Sequence, residues 1–430
     1  MSIYDYEARF GASDKTTKAM KSAVADWFDL YYAGQEKNHA DPCQRIAYTV
    51  VSKLVRAVFG EYGVSAPEDI TKAVIAPLNQ VRELAMALAL VGGECYIKPW
   101  VGAKSFEFTV IPRDGVLIFS RDPAGEPTDV GTIERSTLGN AWYTLLERRR
   151  VDEKGYLTIE NRLYRSFNEN ALGTAVSLGE HPLYEELADS YTYEVPVGSV
   201  GLIRLATPML NCVDGSKDGV SVYAAAAGLI HAMDQNEYQL SGECQRGQSR
   251  VFVSSDLLDG GSLQDNLFLG LDEEPERLGI TLFSPQLREQ SFLNRKQEYL
   301  RNVESLIGIK RGLLCDANED QRTATEISAS QTDHALTVMD FQNMWQAGLE
   351  KITALCVILG SIYGIPLTEG EITVDWGNGV LFDEEKRWQD YKEMVSMGLC
   401  APEVALGWRF GLPCNTPEER KAIRQKFMEG

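Results

Sequence analysis

Hydrophobic residues recur every three or four positions at Val338, Phe341, Trp345, Leu349, Ile352, Cys356, Leu359 and Tyr363. This spacing predicts one face of a long helix within residues 321–363. Such a helix would run roughly 60 Å at about 1.5 Å per residue. Its first part, residues 323–334, is rich in Thr, Ser and Gln instead, so the strut is apolar at one end and polar at the other. Gly364 and Pro366 supply its stop. The opening ninety residues carry the same period. Helices are predicted at 14–32 (Met20, Val24, Trp27, Tyr31), at 42–59 (Ile46, Val50, Leu54, Val58, with Pro42 in the first turn) and at 67–90, closed by Gly92 and Gly93.

After those glycines the period drops to two. Short strands are expected at 94–100, 106–111, 116–120 and 130–135, then an antiparallel hairpin of 142–151 and 156–165 turned by Asp152, Glu153, Lys154 and Gly155. Residues 173–194 read as irregular surface chain. A helix over 221–250 begins apolar (Val222, Ala226, Leu229, Met233) and turns polar from Asp234, with Gln235, Asn236, Gln239, Gln245 and Gln248. That run suits neighbouring copies or water better than a private core. A strand at 250–254 and a return helix at 285–307 (Leu293, Leu300, Val303, Ile307) enclose the most biased segment, so the pair reads as a stalk with a tip. A strand at 372–376 and three small helices from 383 onward, one opened by the capping box Thr416 to Glu419, complete an α+β chain.

Charge and chemistry then narrow the choices. The chain has 430 residues, 42 basic against 62 acidic, a net charge of -20 and pI near 4.8, so a tight basic DNA-binding patch is not expected. The biased segment holds Asp256, Asp259, Asp265, Asp272, Glu273, Glu274 and Glu276 with no Lys or Arg among them; it reads as an acidic docking surface rather than a catalytic pair. Eight dispersed cysteines without a CxxC pair imply reduced thiols, and the four histidines lack metal spacing. No P-loop, GxGxxG or GxSxG occurs, and no run of some 18 consecutive apolar residues suggests a membrane span. No cofactor or metal is expected. Lys310 and Arg311 open a loop containing Asp316, Asn318, Glu319 and Asp320, whose mixed signs suit transient phosphate contacts.

Several stretches, in shared order, resemble the portal proteins of tailed double-stranded DNA bacteriophages, in the group found in long-tailed phages. They are the segment from Gly92 to Lys98 after a helix, the hairpin from Tyr143 to Arg165, and the segment from Leu178 to Leu183. Pro208 to Asn211 followed by Gly219 to Tyr223, and the segment from Arg322 to Ile327 opening the long helix, continue the series. The resemblance implies a ring, usually of twelve subunits, with a channel for double-stranded DNA at one capsid vertex of the virion, assembled in the host bacterial cytoplasm. It implies a wing (1–215), a stem helix out (216–249), a small α/β clip (250–285) and a stem helix back (286–307). A channel loop (308–325), a long wing helix with return strand (326–381) and a helical crown (382–430) follow. Terminase and a head-tail adaptor would dock at clip residues Asp265, Asp272, Glu273, Glu274 and Glu276, and the major capsid protein would grip the wing and stem. Lys310, Arg311, Asp316, Asn318, Glu319 and Asp320 would face DNA. Such a chain would be no enzyme; the alternatives are another capsid or tail structural protein, or a hydrolase using the acidic 256–276 segment.

Overall fold

The computed structural model describes residues 3–32, 43–247, 250–254, 268–271, 281–283, 288–316, 324–368, 370–377, 384–414 and 416–427. Three short helices come first: α1 (Ile3–Phe10), α2 (Lys18–Tyr31) and α3 (Ile46–Phe59). The Thr17 side chain caps α2 by accepting the Met20 N–H. The second predicted helix starts at Ile46, the first residue of its apolar series, and not at 42 as the first-turn proline suggested. Arg45, with φ of 58°, turns the chain into it, and Pro42 lies outside the described residues.

Strand β1 (Gly63–Ser65) leads to one helical run, Glu68–Gly92, made of a single turn, a π turn over Thr71–Ile75 and α4 (Ala76–Gly92). The wide turn sits just before Pro77, which has no N–H to give the helical ladder. Over 18 residues this run is long and apolar enough to cross a membrane, although its apolar residues are interrupted. It serves instead as core: Leu78, Ala85, Met86, Leu88 and Leu90 are buried in the main apolar cluster.

The strands that follow form two layers. β2 (Glu94–Val101) and β3 (Phe106–Pro112) pair in one small sheet, which β10 (Ile203–Ala206) completes on the other edge of β2. The larger antiparallel sheet runs β4 (Val116–Arg121), β5 (Pro127–Leu138), β6 (Ala141–Val151), β7 (Leu157–Ser166) and β8 (Thr174–Val176), with β9 (Ser190–Thr192) also on β7. The predicted hairpin is the β6–β7 pair; the Gly155 N–H donates to the Asp152 carbonyl at 3.0 Å in its turn, and β7 begins at Leu157, one residue later than expected. Residues 173–194 are more ordered than predicted. Strands β8 and β9 are three residues each, too short to show a period, and Leu178, His181, Tyr184 and Tyr193 are buried. α1 packs on the large sheet through Tyr6 and Phe10 against Phe119, Leu146 and Tyr164.

Helix α5 (Ala227–Arg246) begins after a 3-10 turn, and α6 (Glu289–Ile307) returns antiparallel to it. Arg288 to Glu243 at 2.7 Å, Lys296 to Glu237 at 3.3 Å and the Asn236 amide to the Phe292 carbonyl at 3.1 Å tie the two together. Between them lie β11 (Arg250–Ser254), β12 (Phe268–Leu271) and β13 (Thr281–Phe283), with β11 central, parallel to β12 and antiparallel to β13. Among the described residues, the tip is therefore a three-stranded sheet.

The long helix is α7 (Ala324–Tyr363), 40 residues. Val338, Phe341, Trp345, Leu349, Ile352, Cys356 and Leu359 are buried, whereas Tyr363 is half exposed. Trp345 donates to the Tyr62 hydroxyl at 3.2 Å and meets Phe59 edge-on at 5.2 Å. Gly348 lets the helix approach β10, because a Cβ there would stand 2.2 Å from Leu205. β14 (Thr373–Asp375) pairs with β1, and α8 (Glu384–Ser396), α9 (Pro402–Arg409) and α10 (Pro417–Phe427) follow. The Thr416 and Glu419 capping box forms reciprocally, at 3.0 and 3.3 Å.

Candidate functional site

The base from which α5 leaves the core is held by buried charge. β2 is buried on both faces over its first six residues, so Glu94, Tyr96 and Lys98, which share one face by the period of two, must find partners inside the protein. The Glu94 carboxylate is fully buried and accepts from Arg204 Nε at 2.6 Å, Tyr96 at 2.9 Å and the Gly219 N–H at 3.2 Å; Arg113 Nε lies 3.0 Å away. Arg121 joins it and pairs with Asp218. Burial pushes the carboxyl up, but the guanidiniums of Arg204, Arg113 and Arg121 outweigh burial and hold it at about 2. Glu147 is similar: burial raises it, and Arg149 (2.6 Å) and Lys98 (3.1 Å) prevail, again holding it at about 2. Gly93, at φ +81°, and Gly219 touch backbone to backbone, where any Cβ would collide. Sheets, 3-10 turn and the approach to α5 are thus one electrostatically welded unit.

From there α5 and α6 run out and back to the loop carrying Lys310 and Arg311. Leu300, Val303 and Ile307 of α6 are buried, and Glu304 lies in the same stripe with no exposure. Its carboxylate forms no ion pair among the described residues. Oε1 accepts the N–H groups of Gly312 (3.1 Å), Leu314 (2.6 Å) and Cys315 (3.1 Å); Oε2 accepts from Gly312 (3.2 Å) and the Cys315 thiol (3.0 Å). Gly308, left-handed at φ +75°, caps α6, and its carbonyl accepts from Thr337 Oγ1 of α7 at 2.9 Å. The Asp316 N–H donates to Gln297 of α6 at 2.8 Å. Ile309 and Cys315 are buried.

Lys310, Arg311 and Asp316 stand exposed on this anchored arch. Lys310 is close enough to His334 of α7 to lower its imidazole pKa, second to burial. Asn318, Glu319 and Asp320 of the loop, and Asp265, Asp272, Glu273, Glu274 and Glu276 at the tip, lie outside the described residues. Of the loop residues expected to face DNA, Lys310, Arg311 and Asp316 are therefore the ones among the described residues.

Sequence reasoning missed Glu94 and Glu304. The signal for Glu304 was legible in principle, as an acid inside the apolar series Leu300, Val303, Ile307, followed by glycines at 308 and 312. The polar run of α5 is also partly satisfied at home: Asp234 accepts the Gln44 N–H at 2.9 Å, and Asn236 is buried. Among histidines, His181 is a core residue, between Tyr143 and Tyr184, and His231 meets Asp26 at 2.8 Å. No metal-binding cluster occurs among the described residues.

Comparison with known proteins finds no match among curated proteins. A family model, described as phage portal protein, SPP1 Gp6-like, matches residues 87–412.

Proposed function

The chain belongs to the phage portal protein family, SPP1 Gp6-like, a structural family of the virion, and on that premise we propose that twelve copies close into a ring through whose bore double-stranded DNA is packaged and later ejected. The family itself implies a homo-oligomeric ring at the capsid vertex with capsid and packaging partners. The finer reading is ours. Residues 1–215 with the apolar part of α7 act as the wing, α5 and α6 as the stem, and 250–285 as the clip on which terminase and then a head-tail adaptor dock. Residues 308–325 act as the channel loop, and 382–430 as the crown. The ring assembles in the host bacterial cytoplasm.

The observation that carries this reading is the family match over 87–412, which spans the α5–α6 pair, its tip and the arch at 308–316. Physical chemistry supports it. A net charge of -20 on each copy keeps a polyanion off the channel wall, a repulsion that salt screens within about 8 to 10 Å. Lys310 and Arg311, exposed on the arch, offer a small countervailing grip. Electron microscopy of purified protein should show rings viewed down a hollow axis. Compact monomers alone, at high concentration and with capsid partners present, would refute the proposal.

A further inference from the structure

We infer that Glu304 is the positioning residue of the channel loop: a carboxylate lock that makes the arch from Gly308 to Asp316 move only with the last turn of α6. This deepens the channel-loop reading and rests on it for its functional half alone. A buried carboxylate without a cationic partner is costly unless donors surround it. Here three backbone N–H groups and one thiol do so, an anion nest closed by the chain eight to eleven residues downstream.

The geometry requires an acceptor at both oxygens. Gly312 N–H points at both Oε1 and Oε2, and the Cys315 thiol at Oε2. In Glu304→Gln the N–H bonds at Oε1 lose their charge assistance, and an NH₂ in the Oε2 place faces the Gly312 N–H and obliges the Cys315 thiol to accept rather than donate; turned the other way, the NH₂ faces all three N–H groups, so the nest is weakened in either orientation. Gly312, at φ +87°, gives the chain the left-handed step that brings its own N–H inward just after Lys310 and Arg311. Glu304 therefore helps to place the backbone that carries the exposed pair. With Asp316 tied to Gln297 of α6, a shift of α6 carries the pair with it, and the bond from Thr337 to Gly308 passes the same shift on to α7.

The test uses assembled rings and hydrogen exchange. In the wild-type protein the amides of Gly312, Leu314 and Cys315 should exchange at least about a hundredfold slower than open chain, although they lie in a loop. Open-chain rates there overturn the lock without any variant. In Glu304→Gln those amides should speed up by about tenfold or more, and Cys315 should become alkylated by a maleimide about tenfold faster, as read by peptide mass. Unchanged exchange and labelling also overturn it. Should that variant not assemble, Cys315→Ala removes a single donor, and faster exchange at Gly312 and Leu314 is the supporting result, equal exchange the opposing one. Particles built with Glu304→Gln rings then separate the two claims: loosened amides with altered DNA content support both, and loosened amides with normal DNA content keep the lock and overturn the channel-loop reading.

Discussion

Replacing Glu94 by Gln removes one negative charge from a fully buried site where Arg204, Arg113 and Arg121 converge, leaving Asp218, with Asp14 and Glu126 further off, to balance them. Breaking a buried charge cluster by removing one partner costs about 3–5 kcal/mol. A second route gives a similar figure. A carboxyl moved from its ordinary 4.5 to about 2 contributes on the order of 3 kcal/mol, at about 1.36 kcal/mol per pH unit. Because the folded pKa is depressed, that stability is complete well above pH 4.5 and is lost as pH falls toward 2. Glutamine does not titrate, so the gap between wild type and variant should narrow on acidification, by about 1 kcal/mol at pH 4 and about 2 kcal/mol at pH 3. Glu147, held at about 2 in both proteins, cancels from the difference. Urea unfolding followed by tryptophan emission at pH 7, 4 and 3, with protein concentration fixed, measures this. A variant within about 0.5 kcal/mol of wild type at pH 7, or a gap independent of pH, would refute the reasoning.

Trp345→Ala should cost about 3–5 kcal/mol, since a buried indole, its bond to Tyr62 and its edge contact with Phe59 all go; the urea midpoint checks it. Lys310→Glu with Arg311→Glu should change the DNA content of particles while rings still form; failed rings with normal DNA content would reverse that assignment. Serine at Asp265, Asp272, Glu273, Glu274 and Glu276 should weaken adaptor or terminase binding in a pull-down and leave the ring intact in micrographs.

The sequence was most legible where one element carries one long pattern. The α7 stripe shows, residue by residue except Tyr363, which positions are buried, because helical spacing and burial are the same fact there. The β6–β7 hairpin was legible for a similar reason, since its turn chemistry and flanking alternation agree. Strands β8 and β9 were not, being three residues each, and β10 is defined by its partner β2 rather than by its own four residues. Glu94 and Glu304 escaped for another reason. Little local distinguishes a buried acid from a solvated one, and apart from Tyr96 the partners of Glu94 arrive from 19 to 125 residues away.

The polar half of α5 is the instructive case for assembly. Its composition alone suggested a helix needing neighbouring copies, yet Asp234 and Asn236 find partners in Gln44 and Phe292 of the same chain. Polarity by itself therefore argues for nothing beyond this subunit. What the α5–α6 pair leaves uncovered is further out: Tyr238 is 51% and Leu293 40% exposed, with Gln239 and Gln245 exposed beside them. Two helices cannot bury groups that face away from their mutual seam, and ion pairs such as Arg288 with Glu243 only fasten that seam. Contacts between copies are thus expected along 238–245 and the facing half of α6, while the first two turns of α5 belong to the core of their own subunit.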